Sequence, residues 1–111
     1  MQLSKKEKMS YIIVSTTTSN KKDAEGLSIK IIKAKLGACA QITEVISIYE
    51  WKGKIENTRE FKLEIKTTSN KFSRLRDFII KNHKYDIPEI IAKKIIAGNN
   101  KYLNWMDKSL K

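Results

Sequence analysis

At 111 residues, 41% of them hydrophobic and 32% charged, the chain is sized for one domain and is apolar enough to bury a core. One proline and four glycines exclude a Pro/Gly-rich disordered or collagen-like chain, and no apolar run approaches the roughly 20 residues of a membrane span. The formal charge of +11, from 23 Lys+Arg against 12 Asp+Glu, would attract polyanions. Yet only Arg59, Arg74 and Arg76 are arginines and the lysines are scattered along the chain. The charge therefore reads first as a solvated surface, with a basic nucleic-acid-binding module as the alternative.

Residues 1–10 read as a disordered basic leader with no apolar stretch of the kind a secretory signal needs. The β-branched run Tyr11–Thr18 reads as a strand covered on both faces. Ser19-Asn20 offers an N-cap to a helix whose apolar stripe is Ala24, Leu27, Ile31 and Ala34, with Gly37 as its C′ stop. From Ala38 to Trp51 strand character returns. Because Glu44 shares its parity with Ile42, Ile46 and Ile48, a bulge is expected near residues 43–46.

Lys52-Gly53-Lys54 is a tight turn into the most regular strand, with Phe61, Leu63, Ile65 and Thr67 on one face and Glu60, Lys62, Glu64 and Lys66 on the other. Ser69-Asn70 is expected to cap a second helix carrying Phe72, Leu75, Phe78 and Ile79 that runs out near His83. After a loop through Pro88, Ile90–Ala97 reads as a fourth strand, and Gly98-Asn99-Asn100 opens a short helix bearing Tyr102, Trp105 and Met106. The order β-α-β-β-α-β plus a helix is the α+β, ferredoxin-like plan with an antiparallel sheet, occupying residues 11–111 as a single domain.

Length carries a further inference. Two strands of about 14 residues span about 45 Å, whereas a compact domain of this size has a diameter near 34 Å. The hairpin therefore overhangs its own domain, exposing backbone edges together with Tyr49 and Trp51. Native monomers avoid such edges, so a homo-oligomer is expected, with Tyr49 and Trp51 at its interface.

The residues that could carry chemistry are few. Cys39 is the only cysteine, which excludes an internal disulfide and fits a cytoplasmic location. It reads as a small buried hydrophobe or as a soft-metal thiolate. His83, the only histidine, reads as a helix C-terminal cap or a metal ligand. Oligomerisation would bury Glu60 and Lys66 and oblige them to find partners, Glu89 among them. No Cys-x-x-Cys, phosphate loop or Ser/Cys with an adjacent base is present, so an enzyme is not expected.

The successions Lys35-Leu-Gly-Ala-Cys-Ala40, Ser47-Ile-Tyr-Glu-Trp-Lys-Gly-Lys-Ile55, His83-Lys-Tyr-Asp-Ile-Pro-Glu89 and Tyr102-Leu-Asn-Trp105 resemble the CutA divalent-cation tolerance family over residues 11–110. The resemblance implies a cytoplasmic homotrimer built through the long β-hairpins. It also implies tolerance to copper or another divalent cation, without enzymatic activity. Cys39, Trp51, Glu60, Lys66, Tyr85 and Glu89 match the family pattern and would line an intersubunit pocket. The family's copper ligands are a cysteine on the first strand and a His-His pair after the second helix. Here those positions are Thr16, Asn82 and His83, and the residue after His83 is Lys84 where proline is usual. Threonine and asparagine are weak copper ligands.

Overall fold

A computed structural model describes residues 9–111. The expected leader lies, up to residue 8, outside the described residues. Ser10 already belongs to the fold, since its N–H donates to Ser69 Oγ at 2.8 Å and its carbonyl accepts from Ser69 N–H at 2.7 Å.

Strand β1 runs over Tyr11–Thr18, helix α1 over Lys21–Lys33, strands β2 and β3 over Cys39–Trp51 and Lys54–Thr68, helix α2 over Phe72–Asn82, strand β4 over Ile91–Ile95 and helix α3 over Asn100–Ser109. The strands make one sheet in the order β2-β3-β1-β4, antiparallel at every junction. Fourth-strand character was expected across Ile90–Ala97, but only the five residues of β4 pair with β1, from Tyr11↔Ile95 to Ser15↔Ile91.

Side-chain alternation divides the sheet into two faces. Ile12 and Val14 of β1 and Leu63 and Ile65 of β3 pack against Ala24, Leu27 and Ile31 of α1 and Leu75 and Ile79 of α2 to form the core. At the end of the sheet where β1 begins, Met106 and Leu110 of the C-terminal segment join Ala38, with Tyr11 and Leu103 packed against them. Tyr11 O–H also donates to Asp107 at 2.8 Å.

The local signals hold in part. Asn20 caps α1 by accepting from Asp23 N–H at 2.8 Å. Its C-terminus is not closed by Gly37 as expected. Lys35 takes the left-handed conformation at φ 61°, Leu36 N–H reaches Ile31 O at 3.2 Å and Lys35 N–H reaches Ile32 O at 3.0 Å, which is a Schellman closure. Gly37 serves packing instead, and its backbone presses on the side chains of Ile65 and Ile31.

Ser69-Asn70 does not cap α2 either. Ser69–Lys71 forms a 3-10 turn leading into the helix, and Lys71, at the N-cap position, makes no side-chain capping bond. Nor does the hairpin bulge. β2 and β3 keep one register from Cys39↔Lys66 to Trp51↔Lys54. Glu44 can occupy the apolar parity because it lies beyond the core and pairs with Arg59 at 2.7 Å on an exposed surface.

The turn Lys52-Gly53 places both residues at positive φ, 52° and 79°, the twist that suits a two-residue hairpin. β1 pairs with β3 only over Phe61–Thr68, so Lys54–Glu60 and the facing half of β2 project as a two-stranded ribbon. The molecule measures 46 × 32 × 26 Å, with a radius of gyration of 15.2 Å against about 13 Å for a compact domain of this length. The overhang expected from strand length is present.

Candidate functional site

The segment after α2 is held against the sheet by His83. β4 stops opposite Ser15, so the carbonyl of Thr17 needs a donor from elsewhere. His83 Nε2 lies 2.7 Å from it, while Nδ1 accepts the Tyr85 N–H at 3.0 Å. This pairing requires the neutral imidazole with its proton on Nε2. The ring also packs on Tyr85 at 4.8 Å between centroids.

Tyr85 in turn donates its O–H to Glu60 Oε2 at 2.7 Å. Glu60 lies on the sheet face opposite the core and is nonetheless only 8% exposed. Burial first, and then the hydrogen bond to the Glu60 carboxylate, push the Tyr85 phenol well above its ordinary range. The sequence suggested Glu89 among the partners of a buried Glu60 and Lys66. The partner of Glu60 is Tyr85, which the 3.6- and 2-residue periodicities could not indicate because it comes from a loop.

Beside this contact lies a groove of about 880 Å³ between the hairpin ribbon and the 85–89 segment. Tyr49 and Trp51 form part of its wall, and Glu56, Glu60, Asp86 and Glu89 bring carboxylates to it. Four of the six expected pocket residues, Trp51, Glu60, Tyr85 and Glu89, therefore share one groove, and Cys39 is not among its lining residues. Lys66 is not among its lining residues; six positions along β3 from Glu60, its ammonium sits 5.5 Å from the Tyr102 ring of α3. Glu56 and Asp86 were not singled out in the sequence, where they look like ordinary surface charges.

The residues at the copper-ligand positions do not fit that metal within this chain. Thr16 is fully buried, its Oγ1 has no hydrogen-bond partner among the described residues, and it lines neither this groove nor the smaller cavity behind His83. Asn82 turns its amide back to Phe78 O at 2.8 Å, and both ring nitrogens of His83 are engaged. Cys39, half-buried, pairs with Lys66 at the far end of the β2–β3 ladder. Among the described residues no three His, Cys, Asp or Glu side chains converge as a metal site, and no helix is long and apolar enough to cross a membrane.

This architecture has known counterparts. The structure of the periplasmic divalent cation tolerance protein CutA from Archaeoglobus fulgidus superposes with a TM-score of 0.89 at 33% identity, covering 91% of this chain and 99% of that one. That of CutA1 from Oryza sativa gives 0.88 at 40% identity, covering 90% and 93%. In sequence, the chain is 37% identical over 94 residues to the probable divalent-cation tolerance protein cutA homolog of Encephalitozoon cuniculi, covering 85% of this chain and 82% of that protein. It is 39% identical over 99 residues to the chloroplastic protein CutA of Arabidopsis thaliana, covering 88% of this chain but only 54% of that longer protein. The profile described as CutA1 divalent ion tolerance protein matches residues 12–109, and the chain belongs to that family.

Proposed function

We propose that the protein is a non-enzymatic, homotrimeric divalent-cation tolerance protein, a ferredoxin-like subunit that holds a divalent metal or a small ligand in a cleft between subunits. The hairpin carries this reading. Ile46, Ile48, Tyr49, Trp51 and Ile55 are all exposed on it, Ile55 at 72%. β2 is an edge strand, and β3 has no β1 partner before Phe61, so the ribbon offers two open backbone edges. Burying each large apolar side chain is worth about 1.5–3 kcal/mol, and pairing with other copies would also close both edges.

The groove at the base of the ribbon would then lie next to a neighbouring subunit, with Trp51, Glu60, Tyr85 and Glu89 facing it and Lys66 reaching it from another copy. Its carboxylates suit a cation. Oxygen donors favour hard divalent ions, and copper prefers imidazole or thiolate, so copper binding would require His83 to give up one of its two backbone contacts and meet Cys39 from a different subunit. Relatives are named as tolerance proteins rather than enzymes, which supports the absence of catalysis. The cytoplasmic location rests on the lone cysteine, since relatives are named chloroplastic and periplasmic.

Native mass spectrometry with and without copper and zinc tests both halves. A trimer carrying a whole number of metal ions, with uptake reduced in Glu60→Gln or His83→Ala, is the expected result. A monomer refutes the assembly, and a trimer that takes up neither metal refutes the metal reading. Unchanged uptake in His83→Ala removes that residue from the site.

A further inference from the structure

The second cavity, about 270 Å³, lies between α1 and the 82–85 segment. Its chemistry is the reverse of the groove's. Lys22, Lys30 and Lys84 line it against a single carboxylate, Asp23, a net charge of +2 when His83 is neutral. Asp23 is already held, 3.0 Å from Lys84 Nζ and 3.1 Å from the Asn20 amide, and the Lys84 hydrogen bond leads the causes that keep its carboxyl below the ordinary range. Lys22 and Lys30 appear in none of the ion pairs of the described residues.

The floor is also distinctive. Lys22, Gly26 and Lys30 follow at i, i+4 and i+8, one face of the helix. Gly26 sits in the middle of α1 with nothing within 4 Å of where a Cβ would be, so no packing neighbour requires a glycine there, although glycine in a helix interior costs about 0.5–1 kcal/mol relative to alanine. Its effect is to bare the helix backbone between two ammonium groups. At one end the cavity reaches the first turn of α1, where the helix dipole is positive, and at the other it reaches Lys30 in the last turn, so the lysine side chains rather than the dipole supply its positive charge. It occupies the region after α2 where the sequence suggested metal ligands, yet His83 spends both nitrogens on the backbone.

We propose that this cavity is an anion site for a single phosphate-type oxyanion, free or as the headgroup of a small metabolite, with Lys22 and Lys30 as its charged contacts, Lys84 shared with Asp23, and Gly26 as its floor. The volume is at the small end of ligand pockets, which suits one such group rather than a polyanion. The cavity shares Ser19 and Tyr85 with the acidic groove, but none of its charged lining residues.

The test is a titration of the intact protein with inorganic phosphate and, separately, with a nucleoside monophosphate at constant ionic strength, read from the amide NMR shifts of Gly26 and Asn82. Saturable shifts are expected, with affinity lowered about tenfold in Lys22→Ala and in Lys30→Ala for the loss of one charge-assisted contact. Lys94→Ala and Lys108→Ala, which remove the same charge elsewhere, should leave it unchanged. Tighter saturation by phosphate assigns the site to the free anion, and tighter saturation by the nucleotide assigns it to a phosphorylated metabolite. Shifts that do not saturate with either probe, or an equal loss in all four variants, would overturn the proposal in favour of diffuse surface charge.

Discussion

Gly37→Ala isolates one packing contact on which the core depends. Gly37 is buried at the exit from α1, and an added Cβ would stand 2.6 Å from Ile65 Cγ2 and 3.0 Å from Ile31 Cγ2. Carbon atoms prefer about 3.5–4.0 Å, so a neighbour must move by roughly 1 Å. Neither can do so readily, since Ile65 and Ile31 are β-branched and fully buried, with one χ1 rotamer strongly preferred in a helix and few available in a strand. Overpacking of this kind costs about 1–3 kcal/mol. Gly37 does not have a positive φ, so the stiffer unfolded chain of the alanine variant returns about 0.4–1 kcal/mol. The net expectation is a loss of about 1–2 kcal/mol, or roughly 4–8 °C in Tm for a chain of this size. Thermal and urea denaturation at one fixed protein concentration measure it, because the apparent stability of a self-associating protein depends on concentration. A double-mutant cycle with Ile65→Ala identifies the cause. With Cγ2 removed, most of the cost of Gly37→Ala should vanish. An equal cost in both backgrounds would refute the close-approach explanation.

The Tyr85–Glu60 bond predicts a pH effect. The folded phenol titrates above its unfolded value of 10.0, so its contribution to stability is fully present below pH 10 and is lost as the pH climbs towards the folded value; Tyr85→Phe should flatten the alkaline limb of a stability-versus-pH profile. At neutral pH the same variant leaves the buried Glu60 carboxylate without its donor, at a cost of about 1–3 kcal/mol measurable by urea titration. Lys71 Nζ donates to Lys35 O at 2.9 Å and to Leu110 O at 2.8 Å, tying together the chain ends beyond α1 and α3. Lys71→Met should therefore destabilise by about 1–3 kcal/mol, and hydrogen exchange should show the α3 amides losing protection before those of β3.

Much of this protein was determined by local sequence chemistry. The core strands and helices follow from periodicity: the Phe61–Thr67 alternation fits one register with β1, and Ala24, Leu27 and Ile31 of the α1 stripe meet it in the core, whereas Ala34, the fourth residue of that stripe, is the exposed C-cap where the helix has already ended. The overhang follows from strand length alone. Asn20 and Asn99 cap helices because a short side chain reaches its own backbone two or three residues on.

Tertiary structure decided what local signals could not. Gly37 looked like a helix stop, but a left-handed lysine closes α1 and the glycine answers instead to Ile65, 28 positions away. Glu44 looked like a register fault until the end of the core left its side of the ribbon in solvent. Glu60 and Lys66 alternate identically in β3, yet a loop tyrosine buries one and an α3 ring receives the other. His83 read as a helix cap or a metal ligand, and the early end of β4 brings its Nε2 to the Thr17 carbonyl while its Nδ1 accepts the Tyr85 N–H. Each difference has the same physical origin: a side chain's partner is set by what packs across from it, and that neighbour comes from a distant stretch of chain which local periodicity does not encode.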